Sequence, residues 1–142
     1  DDFIAASEAA GLSIAQPAHR FDSYANFGLT HRRWGALVRE TRFVEIGPLT
    51  AFRRDTFAEL IPFPQSRWCY GIDVYWAAVA QRKGWRMGVV DATPIRHLRP
   101  VAKAYDAAGA ITEGRELLAR FEVSVDRERI LGPGRIALTW RN

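Results

Sequence analysis

The stretch YGIDVYWAAVAQRKGWRMGVVDATPIRHLRP, residues 70–100, joins an amphipathic helix to a buried strand. From Ile72 onward, apolar residues recur at i, i+3, i+4, i+7 and i+8, which is the spacing of one helix face. Gly84 supplies the left-handed residue that typically ends a helix. The run from Met87 to Val90 has no polar alternation, which indicates a strand covered on both faces of a sheet. A helix followed by a buried strand predicts an α/β protein.

Length and composition are those of a single folded domain. The chain has 142 residues, of which 48% are hydrophobic, enough to build a core over 1–142. Its net charge of +4 comes from arginine, because only Lys83 and Lys103 are lysines. Arginine suits phosphate and carboxylate contacts, but the base composition of the source genome explains it equally well. Charge alone therefore does not choose between nucleic acid, phosphorylated substrates and no partner.

The sequence predicts a cytoplasmic protein. Cys69 is the single cysteine, so no internal disulfide forms, and the thiol is compatible with a reducing compartment. No stretch approaches the roughly 20 apolar residues of a transmembrane segment, and we expect no secretory leader. The chain begins at Asp1 without a methionine, so we expect a fragment whose N-terminal part precedes it.

Several further elements are predicted on either side of the central stretch. Residues 18–35 read as a surface loop that contains His19 and His31. The predicted helices are Phe3–Ala10 with a stop at Gly11, Arg53–Leu60 with Phe57 and Leu60 facing inward, and Val101–Ala108 and Glu113–Phe121 separated by Gly109. The predicted strands are Leu12–Pro17, ended by its proline, a strand that begins at Arg42 and reaches a loop at Gly47-Pro48, and a late strand through Ile136, Leu138 and Trp140.

Three polar positions are candidates for chemistry, each with a plain structural alternative. The doublet Asp1 and Asp2 is either a solvated terminus or a site for Mg²⁺ or Mn²⁺, which prefer carboxylate oxygens. Asp73 lies in the first turn of the helix, where it either complements the helix dipole or acts as a general base at a cleft edge. His97 follows the buried strand, so it is either a hydrogen-bonded structural residue or a metal ligand.

Other signals are weaker. Arg96 and Arg99 flank His97 and are either ordinary surface arginines or phosphate contacts. The sequence contains no glycine-rich phosphate loop, no nucleophile elbow and no paired cysteine and histidine spacing for zinc. The common nucleotide-cradling and hydrolase motifs are therefore unsupported.

The order of motifs resembles a known enzyme group. After the acid doublet come GLSIAQPA at 11–18, RFVEIGPLTAFRRD at 42–55, YGIDVYW at 70–76 and MGVVDATPIRHLRPV at 87–101. Together they resemble the C-terminal, acceptor-side part of GT-A fold glycosyltransferases, in a poorly characterised group of bacteria and plants. The resemblance covers residues 1–105, and 106–142 form a C-terminal helix and tail. It implies part of a Rossmann-like GT-A fold, a three-layer sandwich around a mixed sheet.

The resemblance also implies roles for individual residues. Asp2 matches the last acid of a DxD-type motif that holds Mn²⁺ or Mg²⁺ against a nucleotide-sugar diphosphate, and His97 matches a late metal-binding histidine. Asp73 matches the acid that deprotonates the acceptor hydroxyl in inverting members. The remaining implied contacts are Arg96 and Arg99 for the donor diphosphate, and Glu45, Trp68 and Tyr70 for the acceptor.

The implied activity is that of a hexosyltransferase-like, metal-dependent enzyme that moves a sugar from a nucleotide-sugar donor to a glycan or other hydroxyl acceptor. The first acid of the DxD motif and the nucleotide-binding half would precede Asp1, so this piece alone is expected to be inactive. Two alternatives stay open, a basic module that binds nucleic acid or another polyanion, and a non-catalytic glycan-binding domain. Nucleic acid is not expected, because the arginines are dispersed among acids and no nucleic-acid motif is present.

Overall fold

The helix and strand predicted from residues 70–100 both form. The computed structural model describes residues 2–100, 105–124, 126 and 130–139. Helix α3, Ile72–Lys83, lies between two left-handed glycines, Gly71 at φ 83° and Gly84 at φ 68°. The strand β4 that follows, Met87–Ile95, is longer than predicted. It continues through Asp91, which is fully buried.

Five strands of the described chain form one mixed sheet. Besides β4 they are β1 (Ile14–His19), β2 (Ala36–Thr41), β3 (Ala51–Phe52) and β5 (Arg135–Thr139), in the order β3-β1-β4-β2-β5. β1 and β4 run parallel at the centre, whereas β3, β2 and β5 pair antiparallel with their neighbours. The prediction of an α/β protein with a mixed sheet is confirmed. The sheet is consistent with a Rossmann-like arrangement.

Helices cover both faces of this sheet. Ile14 and Ala15 are neighbours on β1, so their side chains point to opposite faces. Ile14 belongs to the apolar cluster that contains α3 and residues of α4 (Ala107–Arg120), whereas Ala15 packs in a second cluster with Phe3 of α1 (Asp2–Ala9). The sheet therefore separates α1 from α3 and α4. The predicted N-terminal helix and its stop at Gly11, at φ 64°, are confirmed.

Two strand predictions were wrong in detail. Pro17 does not end β1, which runs on to His19. The described part of β3 pairs only with Ile14 and Ala15, so the edge of β1 on that side is free at Pro17. A proline, which has no N–H to donate, is tolerated at a free edge. The strand predicted from Arg42 does not form, because backbone groups of this segment pair with side chains instead of a neighbouring strand. The carbonyl of Phe43 accepts the hydroxyl of Thr41 at 2.7 Å, and the N–H of Glu45 donates to the side chain of Gln16.

The short helical segment after β3 confirms the prediction for Arg53–Leu60 in outline. It consists of a 3₁₀ turn, Arg54–Thr56, and a short helix α2, Phe57–Leu60. Leu60 is buried, as predicted, but the side chain of Phe57 is exposed. Phe57 therefore does not contribute to the core.

The C-terminal region differs from the prediction at Gly109. α4 is one helix from Ala107 to Arg120, and the carboxylate of Asp106 caps it by accepting the N–H groups of Ala108 and Gly109 at 3.1 Å each. Gly109 thus lies in the first turn and does not separate two helices. The predicted helix residues 101–104 and Trp140 lie outside the described residues, and β5 confirms the late strand. No described helix combines the length and apolar character needed to span a bilayer.

Candidate functional site

A cavity of about 580 Å³ opens on the α3 side of the sheet. Its walls come from the segment 43–48, the turn 68–71 before α3, one side of α4 and the residues that follow β1 and β4. The volume lies in the range typical of small-molecule sites. The polar residues that reach it include His19, Glu45, Asp73, His97 and Arg115.

Asp73 lies at the cavity in the first turn of α3. Its Oδ1 accepts the N–H of Val74 at 2.8 Å, and the N–H of Ile46 lies 3.5 Å from Oδ2. The side chain is buried. The helix N-terminus favours a carboxylate here, and the cavity gives the same carboxylate access to a ligand. Both alternatives for Asp73 are therefore compatible with its position.

Glu45 is a second buried acid of the cavity. Its Oε1 accepts the N–H of Asn26 at 3.2 Å, and the hydroxyl of Thr30 lies 3.4 Å from Oε2. Its backbone N–H donates to the side chain of Gln16, which fixes the segment against β1. Burial raises the pKa of Glu45 above its ordinary value, and the nearby charge of Asp73 raises it further. The cavity therefore places two carboxyl groups close enough to influence one another.

Three histidines gather beside these acids. The ring of His19 lies 6.4 Å from that of His31 and 6.5 Å from that of His97, measured between centroids. The hydroxyl of Ser23 links two of them, since it lies 3.2 Å from Nδ1 of the His19 ring and accepts the backbone N–H of His97 at 2.8 Å. Burial lowers the pKa of His19, and His31 and His97 lower it further.

His19 lies beside Glu45 in the cavity. Nε2 of His19 lies 3.8 Å from Oε2 of Glu45, which is longer than a hydrogen bond. Burial lowers the pKa of the imidazole and raises that of the carboxyl, so both groups are shifted toward their uncharged forms. His19 was predicted to be a loop residue. The parallel pairing of β1 and β4 places it here, opposite Ile95, and no local sequence signal indicates that.

An aromatic wall closes one side of the cavity. The rings of Trp68 and Tyr105 stack with centroids 5.2 Å apart and 29° between their planes, and the exposed ring of Tyr70 lies beside them. Glu113 of α4 holds the segment, because its carboxylate accepts the N–H groups of Arg67 at 2.6 Å and Trp68 at 3.0 Å. Trp68, Tyr70 and Glu45, all predicted on the acceptor side, therefore share one cavity with Asp73. Tyr105 and Arg115 were not predicted.

Asp2 does not join this group. It is exposed on α1, which packs on the other face of the sheet, and it is not among the residues that line the cavity. Asp1 lies outside the described residues. Within the described part of the chain, no group of three or more histidine, cysteine, aspartate or glutamate side chains is arranged to hold a metal ion. These residues do not fit the metal site that the resemblance implies.

Arg96 and Arg99 are also outside the cavity. Both are exposed, and Nε of Arg96 lies 3.2 Å from Oδ2 of Asp22 in a surface ion pair. A phosphate role for either residue would require a ligand that extends beyond the cavity. The assignment of both arginines to a donor diphosphate stays a prediction.

Comparisons with known protein families, with curated proteins and with solved structures found no match to this chain.

Proposed function

We propose that the chain forms the acceptor side of a glycosyltransferase site, which moves a sugar from a nucleotide-diphosphate donor to a hydroxyl acceptor. One observation supports this most. Asp73 and His97, from two different elements, line the same cavity together with Glu45 and an aromatic wall. Carboxyl groups beside aromatic rings suit a sugar, because its hydroxyls need hydrogen-bond acceptors and its C–H faces pack on aromatic surfaces.

In this proposal Asp73 is the general base. Its carboxylate takes the proton of the acceptor hydroxyl while the hydroxyl oxygen attacks the anomeric carbon of the donor sugar. The new bond forms as the bond from the anomeric carbon to the diphosphate oxygen breaks. The nucleoside diphosphate leaves with that electron pair, and the proton stays on Asp73 until solvent removes it.

Glu45 supports the base without competing with it. Because burial raises its pKa, Glu45 keeps its proton to a higher pH than an exposed glutamate does. A protonated Glu45 can donate a hydrogen bond to a sugar oxygen, and it repels the negative charge of Asp73 less. Trp68 and Tyr70 supply the packing surface for the acceptor ring.

No step is assigned to a metal ion. The implied ligands Asp2 and His97 are not brought together, and the other described side chains do not complete a site around His97. Dependence on Mn²⁺ or Mg²⁺ therefore stays a prediction, which metal titration of Asp2→Asn and His97→Ala against the parent would test.

The experiment for this proposal is release of nucleoside diphosphate from a panel of nucleotide sugars with sugar acceptors, measured on the full-length protein because residues 1–142 alone are expected to be inactive. We expect Asp73→Asn to lower turnover by about 10²–10⁴-fold, the usual contribution of a general base, while acceptor binding is kept. Asp55→Asn is the control, because Asp55 is an exposed acid paired with Arg53 and is not among the cavity residues. Undiminished turnover of Asp73→Asn would rule out the base assignment.

A non-catalytic glycan-binding domain is the second candidate. The stack of Trp68 on Tyr105 beside the exposed ring of Tyr70 favours it, since such a surface binds a sugar ring without any reaction. It predicts that Trp68→Ala abolishes glycan binding, that Asp73→Asn leaves it intact, and that no nucleotide sugar is consumed. Turnover by the full-length protein would exclude this candidate.

A further inference from the structure

Two large aromatic side chains stand exposed beside each other on the segment between β1 and β2. The exposed fraction is 63% for Phe21 and 71% for Trp34. Their rings are stacked, with centroids 6.3 Å apart and 23° between the planes. Single exposed apolar residues are common, but a contiguous exposed pair of this size marks an interaction surface. We refer to Phe21 and Trp34 as the aromatic ridge.

The segments that adjoin the aromatic ridge are rich in arginine. The guanidinium of Arg32 lies over the ring of Trp34 at 4.6 Å from its centroid. The chain after β4 lies alongside, because the N–H of Arg20 donates to the carbonyl of Ile95 at 2.9 Å and that of Tyr24 donates to the carbonyl of His97 at 3.1 Å. Residues 19–35 and 95–100 together contain five arginines and one acid, Asp22. These two segments therefore carry an excess of positive charge, even though Asp22 pairs with both Arg20 and Arg96.

The ridge is separate from the cavity, since neither Phe21 nor Trp34 lines it. Arg32 covers one face of the indole, so that face is not open for a sugar ring. Leu98, on the adjoining segment, adds a third large apolar side chain, 68% exposed. Exposed tryptophan, phenylalanine and leucine among arginines is the composition of surfaces that enter the headgroup region of a bilayer.

We propose that the aromatic ridge docks the protein onto the surface of an anionic lipid bilayer. Trp34 and Phe21 enter the boundary between headgroups and acyl chains, where an aromatic ring gains burial while its polar edge stays hydrated. Arg32, Arg33 and Arg99 pair with the lipid phosphates, and this charge complementarity selects an anionic over a neutral lipid surface. The interaction is peripheral, and it does not depend on the reaction proposed for the cavity.

Vesicle flotation tests the proposal. The full 142-residue chain is mixed with vesicles of phosphatidylcholine alone, or of phosphatidylcholine with phosphatidylglycerol, and floated through a density gradient. We expect the chain to float with the phosphatidylglycerol vesicles only, and less so at high salt. Trp34→Ser should weaken partitioning about tenfold, the scale of one lost aromatic burial. Arg32→Gln should weaken it about fivefold, the scale of one lost cation near an anionic surface.

Two control variants carry the same chemical changes at the opposite end of the sheet. Phe57→Ser removes an exposed aromatic ring from α2, and Arg82→Gln removes an exposed cation from the last turn of α3. Arg82 lies far from the ridge, because α3 ends where β4 begins and the ridge adjoins the end of β4. Phe57 lies at the same end as Arg82, because Glu59 of α2 pairs with Lys83 of α3. Circular dichroism verifies that each variant is folded. The controls should float like the parent.

Three results would overturn the proposal. One is failure of the folded parent to float with phosphatidylglycerol vesicles. Another is equal weakening by the ridge variants and the controls. The third concerns self-association measured by analytical ultracentrifugation: if Trp34→Ser abolishes a dimer of the chain and leaves vesicle partitioning unchanged, the ridge binds a second copy and not a lipid surface.

Discussion

Arg39 and Asp91 form a two-point salt bridge inside the protein. Nε of Arg39 lies 2.8 Å from Oδ2 of Asp91, and Nη2 lies 3.0 Å from Oδ1, with both side chains buried. The same guanidinium donates to the carbonyls of Leu29 at 2.7 Å and His31 at 2.8 Å, and Asp91 accepts the N–H of Arg33 at 2.7 Å. The pair therefore ties the sheet to the segment that carries His31 and leads to the aromatic ridge.

Loss of one partner of this pair should be strongly destabilising. Arg39→Leu leaves the carboxylate of Asp91 buried without its cation and frees two backbone carbonyls. We expect the free energy of unfolding to fall by about 3–5 kcal/mol, the usual cost of an uncompensated buried charge. Urea denaturation measures this.

The matched control is Arg86→Leu. Arg86 forms its salt bridge with Glu40 at 2.8 Å, but with both side chains partly exposed. Its loss should cost less than about 1 kcal/mol, because solvent screens surface pairs. Equal destabilisation by the two variants would show that burial of the Arg39 pair does not matter.

Alanine substitutions at Gly71 and Gly84, at the two ends of α3, distinguish the cost of backbone strain from the cost of a steric clash. Both have positive φ, so alanine costs roughly 1–2 kcal/mol at either position. A Cβ at Gly84 meets no atom within 4 Å, whereas at Gly71 it lies 3.2 Å from the carbonyl oxygen of Gly114. Gly71→Ala should therefore be the more destabilising change in thermal unfolding. Equal effects would mean that α4 moves away without cost.

The sequence predicts the elements whose burial follows a local period. α3 and the start of β4 are such elements, because their apolar residues follow a helical spacing and a continuous run. β2 was not predicted, since ALVRET, residues 36–41, contains Arg39 and Glu40 and has no clean apolar alternation. Arg39 is buried only because Asp91, 52 residues away, compensates its charge. No local pattern records that partner.

Some residues of the candidate site could be predicted from local sequence, and others could not. Asp73 was found from its place at the start of a predicted helix, and His97 from its place after a predicted strand. Asp2 was placed with them by resemblance, and the structure puts it on another face of the sheet. His19 and Tyr105 were missed, because the pairing of β1 with β4 brings in His19 and the stack on Trp68 brings in Tyr105.

Glu113 should control how firmly the aromatic wall is held. Its carboxylate accepts the N–H groups of both Arg67 and Trp68, so Glu113→Ala removes two restraints at once. We expect faster amide hydrogen exchange at residues 67 and 68, with the rest of the sheet unchanged. Glu116→Ala, an exposed acid of the same helix, is the control. Unchanged exchange at residue 68 would show that the stack on Tyr105 holds the wall by itself.

The raised pKa of Glu45 predicts the pH dependence of stability. Burial, and then the charge of Asp73, raise it above the ordinary value of 4.5, so the folded protein holds this proton more tightly than the unfolded chain does. The stability gained in this way is fully present below pH 4.5 and is lost as pH rises through the raised pKa. Glutamine does not titrate, so the free energy of unfolding of Glu45→Gln should rise relative to that of the parent as the pH increases across that window.

Glu113 should give the opposite pH dependence of stability. Hydrogen bonds, first from the backbone N–H of Arg67, lower its pKa below 4.5, so the unfolded chain holds that proton more tightly than the folded protein does. Its contribution to stability is present above pH 4.5 and is lost as pH falls through the lowered pKa. Urea denaturation of Glu45→Gln and Glu113→Gln against the parent, from pH 3 to 8, should therefore give differences of opposite slope. If the free energy of unfolding of Glu45→Gln differs from that of the parent by the same amount at every pH in this range, the Glu45 carboxyl is not desolvated in the folded protein.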